Sequence, residues 1–146
     1  MVLGRAEGGW AARLEVVYLP LAALRRFDPD DAERYPIGPE QLRAAVRVSL
    51  AGHWALQGTD VAWLRPRNYQ AFAVLSMCRD LYALEHGTLA SKPVAAAWAS
   101  RRLGPPWTAQ VERALGWRSD TRIDDRALPE TLAFVAHVVA LAGAEG

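Results

Sequence analysis

Between residues 69 and 86 the apolar side chains stop keeping to one side of a helical wheel. Ala71, Phe72, Val74, Leu75, Cys78, Leu81, Tyr82 and Leu84 are too many and too widely spread to form a single stripe. Such a pattern predicts a helix buried on most sides, around which its neighbours pack. Asn68 is placed to cap its start, and Gly87 stands where a left-handed residue closes a helix. Ser91 is an N-cap for the next helix, and Pro93 suits a first turn whose amides lack partners anyway.

The flanking segments are more regular. From Pro39 to about Trp54, Leu42, Ala45, Val46, Ser49, Leu50 and His53 share a face, while Glu40, Arg43 and Arg47 look outward. Residues 57–67 read as a loop with a short turn. The third helix runs from Pro93 to about Arg102 and stops at Gly104-Pro-Pro. Trp107, Val111, Ala114 and Leu115 give a fourth helix ending near Trp117, and SDTRIDDRAL is a polar loop. A fifth helix extends from Pro129 to about Ala142, with Leu132, Val135, Ala136 and Val139 at helical spacing. Five helices after residue 39 predict a mainly α fold, a compact five-helix bundle.

Before the bundle the pattern changes. Residues 13–19, RLEVVYL, are β-branched and aromatic enough for a short strand, stopped by Pro20. Both its faces are largely apolar, so it needs cover or a sheet to join. A short helix over 21–27 follows, then Asp28, Asp30 and Asp31, which read as a turn and helix cap in preference to a divalent-ion site. Tyr35-Pro-Ile-Gly-Pro39 is the best linker in the chain and divides it into 1–38 and 39–146.

Two cations interrupt this apolar scheme. Arg79 lies inside the central helix, and a guanidinium there has to meet a carboxylate, a carbonyl or a ligand anion. Asp80 is about 100 degrees around the helix from it, a poor partner. Lys92, the single lysine against sixteen arginines, falls between the Ser91 cap and Pro93. A cation there opposes the helix dipole; it is either a solvated loop residue or part of a phosphate site built on free helix N–H groups.

The stretch YQAFAVLSMCRDLYALEHGTLASKPVAAAW, with ERALGWR and a closing ETLAFVAHVVAL, resembles the C-terminal helical domain of the aminoglycoside adenylyltransferases that modify streptomycin and spectinomycin. The likeness covers roughly residues 39–143. In that family an arginine of the central helix and a lysine thirteen residues later contact the nucleotide phosphates, and Arg79 and Lys92 stand at those positions. The resemblance implies ATP and magnesium as cofactors and AMP transfer to a hydroxyl. It also implies tryptophans that hold the acceptor, which Trp54 and Trp63 resemble. The acidic residue expected near the start of the central helix is missing from Arg67-Asn68-Tyr69-Gln70, and Asp60 is the nearest acid. Nucleotide is therefore the expected ligand ahead of an aminoglycoside.

In the family, magnesium is held by a catalytic domain marked by a Gly-Ser turn followed by an Asp-x-Asp pair, and that combined signature does not occur in this chain. LEVVYLP resembles the later strand that carries the family's base, which places Glu15 at that position as a vestigial base. Residues 1–38 thus read as a remnant of a nucleotidyltransferase domain without a magnesium site. One carboxylate cannot hold the ion that neutralises a triphosphate, so the chain alone is expected to be inactive. The alternative is a non-enzymatic helical module that binds a partner or dimerises through the edge of the strand at 14–19. A catalytic domain supplied in trans is a further partner in keeping with the first reading.

Composition narrows the remaining classes. A net charge of +1 gives no case for a nucleic-acid surface, and the paired Arg101 and Arg102 suit a helix C-terminus. No apolar run is long enough to span a membrane, and the N-terminus lacks a signal peptide's apolar stretch, so a cytoplasmic location is expected. Cys78 is a small core residue, and His53, His86 and His137 lack the spacing for zinc or a catalytic triad.

Overall fold

The structure, a computed structural model, describes residues 38–56 and 58–145. The strand expected at 13–19, the helix at 21–27, the acidic cluster and Glu15 lie outside the described residues. Within them the chain forms five α-helices: α1 Pro39–Ala51, α2 Arg67–His86, α3 Lys92–Leu103, α4 Trp107–Gly116 and α5 Leu128–Glu145. A 3-10 turn, Ala62–Leu64, precedes α2. Among the described residues there is no strand, and the mainly α class expected from the sequence holds.

The central place of α2 also holds. It packs against α1, α3, α4, α5 and the 3-10 turn, while α3 lies on α4 and α1 on α5. Eleven of its twenty residues are buried, on all sides of the helix. Ala95, Ala96 and Ala99 of α3 and Ala73 and Ala83 of α2 are fully buried. Small side chains at these positions let helix axes approach at the short end of the usual 8–10 Å range. Leu75, Met77 and Phe134 fill the centre, each contributing about 1.5–3 kcal/mol by leaving water.

Several element limits and faces differ from the sequence expectation, for local reasons. α1 stops at Ala51 and not near Trp54, because the Gly52 N–H closes the last turn on the Val48 carbonyl at 2.9 Å. Leu42, Val46 and Leu50 form its buried row, and His53, beyond the helix end, is exposed. Pro66, not Asn68, is the N-cap of α2. Lys92 is the first residue of α3, so the helix opens on it instead of on Pro93. In α5 the buried row is Thr131, Phe134, Val135, Val138 and Ala142, and Ala136 faces outward.

The start of α1 is tied to the end of α2. Arg43 Nε–H donates to the Leu84 carbonyl at 2.8 Å, meeting a carbonyl that the last turn of α2 leaves without a helical partner, and Glu40 pairs with the same guanidinium. Gly87 closes α2 at φ +73°, its N–H bonding the Ala83 carbonyl at 2.8 Å.

Candidate functional site

Arg79 and Lys92 are both built onto the junction between α2 and α3. Arg79 is half-buried, and its Nε–H donates to the Ala90 carbonyl at 2.8 Å, so of the three partners open to it in the sequence a carbonyl is one it uses. That carbonyl lies two residues before Lys92. The Lys92 ammonium sits 5.4 Å from the centroid of the Phe72 ring. Phe72 and Arg79 are seven residues apart, two turns along one stripe of α2. The backbone between Gly87 and Lys92 therefore runs back beside that stripe, and both cations attach to it. Ser91 Oγ accepts the Val94 N–H at 3.3 Å, capping α3 as its sequence implies.

The two tryptophans have different surroundings. Trp54 is 1 % exposed, with His53 edge-on at 4.7 Å, Phe72 at 5.9 Å and Trp63 at 6.2 Å between ring centroids. Trp63 is 37 % exposed and edge-on to Tyr69 at 6.3 Å. Trp54 is thus a core residue closed to a ligand in this conformation, whereas Trp63 reaches the surface. Tyr69, Trp63, Trp54 and Phe72 make an unbroken row of rings that ends beneath Lys92. Asp60 caps the 3-10 turn, its Oδ1 accepting the Ala62 N–H at 2.9 Å.

A charged clasp holds the other end of α2, and sequence reasoning missed it. The Arg67 N–H donates to the Arg122 carbonyl at 2.8 Å and the Asp124 N–H to the Arg65 carbonyl at 2.9 Å, an antiparallel bridge between Pro66 and Ile123. Arg67 donates from Nε to Asp124 at 2.8 Å and from Nη1 to Asp120 at 3.1 Å. Arg122 donates to Asp120 at 2.7 Å, and Arg65 grips Asp125 through two bonds of 2.8 and 2.9 Å. The Trp117 ring has the guanidinium carbons of Arg67 and Arg113 each 4.5 Å from its centroid. Bonds from Arg122 hold the Asp120 carboxyl well below the usual carboxylate range, and Arg67 does the same for Asp124 and Arg65 for Asp125. Complementary charge in LRPR and SDTRIDD was the available signal, but more than fifty residues separate the two stretches.

These acids are therefore engaged with arginines. Among the described residues, no three His, Cys, Asp or Glu side chains come together as a metal-ligand set. No helix among them is long and apolar enough to cross a membrane.

Comparison with known proteins adds one finding. The family profile described as "Aminoglycoside adenylyltransferase, C-terminal domain" matches residues 35–141. No curated protein and no solved structure matches the chain.

Proposed function

Because the chain belongs to the aminoglycoside adenylyltransferase C-terminal domain family, we propose that its helical domain holds nucleotide phosphates between Arg79 and Lys92, and that these 146 residues do not by themselves transfer AMP. The observation that supports the first part is the Arg79 bond to the Ala90 carbonyl, which ties the guanidinium to the backbone two residues before Lys92. A guanidinium offers a flat fork of donors and an ammonium a compact point charge, a combination suited to adjacent phosphate groups. Lys92 also stands at the start of a helix of twelve residues, where the dipole favours an anion.

The second part follows from charge. Moving AMP from ATP to a hydroxyl releases pyrophosphate, and magnesium supplies the neutralisation that this needs. The described residues do not fit that ion, and the combined Gly-Ser and Asp-x-Asp signature is absent from the chain. Trp63 is partly exposed, but residues 67–70 offer no carboxylate to a cationic sugar.

Calorimetry with ATP tests the binding. Wild-type chain is expected to bind, with Arg79→Ala weakening and Lys92→Ala abolishing the signal. Absence of binding by the wild type, with a dimer that forms on concentration, would favour the partner-binding module instead. Radiolabelled ATP with magnesium and streptomycin tests the chemistry, and turnover above background overturns the second part.

A further inference from the structure

His86 is held as half of a stacked pair. Its ring lies 3.9 Å from that of Tyr82 between centroids, at an interplanar angle of 23°. Its Nδ1 is 3.0 Å from the Tyr82 carbonyl; a carbonyl only accepts, so Nδ1 carries a proton in this contact, which fixes the ring's orientation. Trp98 of α3 stands edge-on to both rings, 5.5 Å from Tyr82 at 83° and 5.2 Å from His86 at 76°. Those near-equal distances put Trp98 beside the stack and not on top of it. One face of the imidazole is thus covered by Tyr82 and its edge is buttressed by Trp98, on a residue that is exposed overall. Stacking with a fixed rotamer is the arrangement that receives a further flat ring at little entropic cost.

The position of this face matters as much as its shape. Tyr82 and His86 lie three and seven residues past Arg79, on the same side of α2, and the 87–91 connection that Arg79 holds begins at the end of that stack. From this we infer that the outer face of His86 is a base-stacking platform for a purine, the base of the nucleotide whose phosphates reach Arg79 and Lys92. The inference rests on the phosphate reading above and extends it by the component that carries no charge. The π face itself does not distinguish one purine from another.

Side-chain resonances of the three histidines provide the test, because a stacked purine shifts the ring protons of the residue beneath it. Adenosine is expected to shift the His86 resonances and leave those of His53 and His137 unmoved, and Lys92→Ala is expected to preserve this. ATP and inorganic tripolyphosphate are then compared by calorimetry. In the wild type ATP binds more tightly, and His86→Ala lowers its affinity roughly tenfold, to the level of tripolyphosphate, whose own affinity stays unchanged. An unmoved His86 resonance, or an ATP preference that survives His86→Ala, overturns the platform. Adenosine shifts at His86 with no binding of tripolyphosphate would keep the platform and overturn the phosphate pair. Far-ultraviolet circular dichroism of His86→Ala and a matching His86→Phe variant, which keeps a flat face and should retain the ATP preference, separates loss of the platform from loss of folding.

Discussion

Gly87 and Pro39 are packed so closely that a Cβ on Gly87 would lie 2.7 Å from the Pro39 Cβ and 3.1 Å from Arg43 Nη2. The glycine is needed twice over: for its φ of +73° and because the start of α1 leaves no room for a side chain. Gly87→Ala is expected to destabilise the bundle by about 2–4 kcal/mol, combining left-handed strain with overpacking. Gly116→Ala is the control. Nothing lies within 4 Å of a Cβ there and the residue is helical, so stability should stay level or rise by up to about 1 kcal/mol. Urea unfolding of both variants checks this; equal losses would show that the Gly87 contact does not matter.

The clasp makes acid stability predictable in sign. Asp120, Asp124 and Asp125 have carboxyl groups that protonate at lower pH in the folded chain than in the unfolded one. Their contribution is therefore fully present above the unfolded value of about 3.9 and is lost as pH falls through the depressed folded values. Urea midpoints should hold from pH 7 to about pH 4.5 and then fall steeply. Arg67→Met should be less stable at neutral pH and show a shallower acid fall, since Asp124 loses its main partner. An acid profile parallel to that of the wild type would show that the Arg67 bonds do not set those carboxyls.

Gln70 and Thr131 form the buried polar link between α2 and α5. The Thr131 hydroxyl donates to Gln70 Oε1 at 2.7 Å, and Gln70 Nε2 donates to the Arg65 and Asp124 carbonyls at 3.1 and 2.9 Å. Thr131→Val keeps the shape but leaves a buried acceptor unmet, a loss of about 1–3 kcal/mol. Thr131→Ser should recover most of it. A Thr131→Val variant as stable as the wild type in thermal unfolding would refute this account.

Cys78 reports on opening of the core. Burial pushes its thiol up to about 12, with Asp80 adding to the shift. A raised folded value stabilises fully below the unfolded value of about 8.5 and is lost as pH rises through the folded one. At pH 8 the native chain should resist a thiol reagent, and modification should follow global unfolding, with urea removing the protection in step with loss of helicity. Rapid labelling of the folded protein would mean that α2 is not as enclosed as described.

The parts of the fold legible in the sequence are those decided locally. A run of apolar residues on every side marks α2, the glycine after His86 ends it, and a serine three residues before Val94 caps α3. Thirteen residues separate Arg79 from Lys92, and that spacing was visible without any structure. The start of α2 was not legible. Asn68 has the chemistry of a cap, but the helix begins one residue before it because the Arg67 N–H is satisfied by a carbonyl far along the chain. For the same reason SDTRIDDRAL reads as a polar loop: Asp120 has Arg122 nearby, but Arg67 and Arg65, which hold Asp124 and Asp125, are more than fifty residues away in the chain. The burial of Trp54 and exposure of Trp63 likewise depend on where the segment after α1 turns, which periodicity does not record.

The bridge between Pro66 and Ile123 closes a ring of backbone that contains α2, α3 and α4. Such a ring cannot fray one helix at a time from its seam. The amides of Arg67 and Asp124, both bonded across it, should therefore trade their hydrogens with solvent in a single concerted event, making the seam a unit of cooperativity even though the described residues hold no sheet to enforce one.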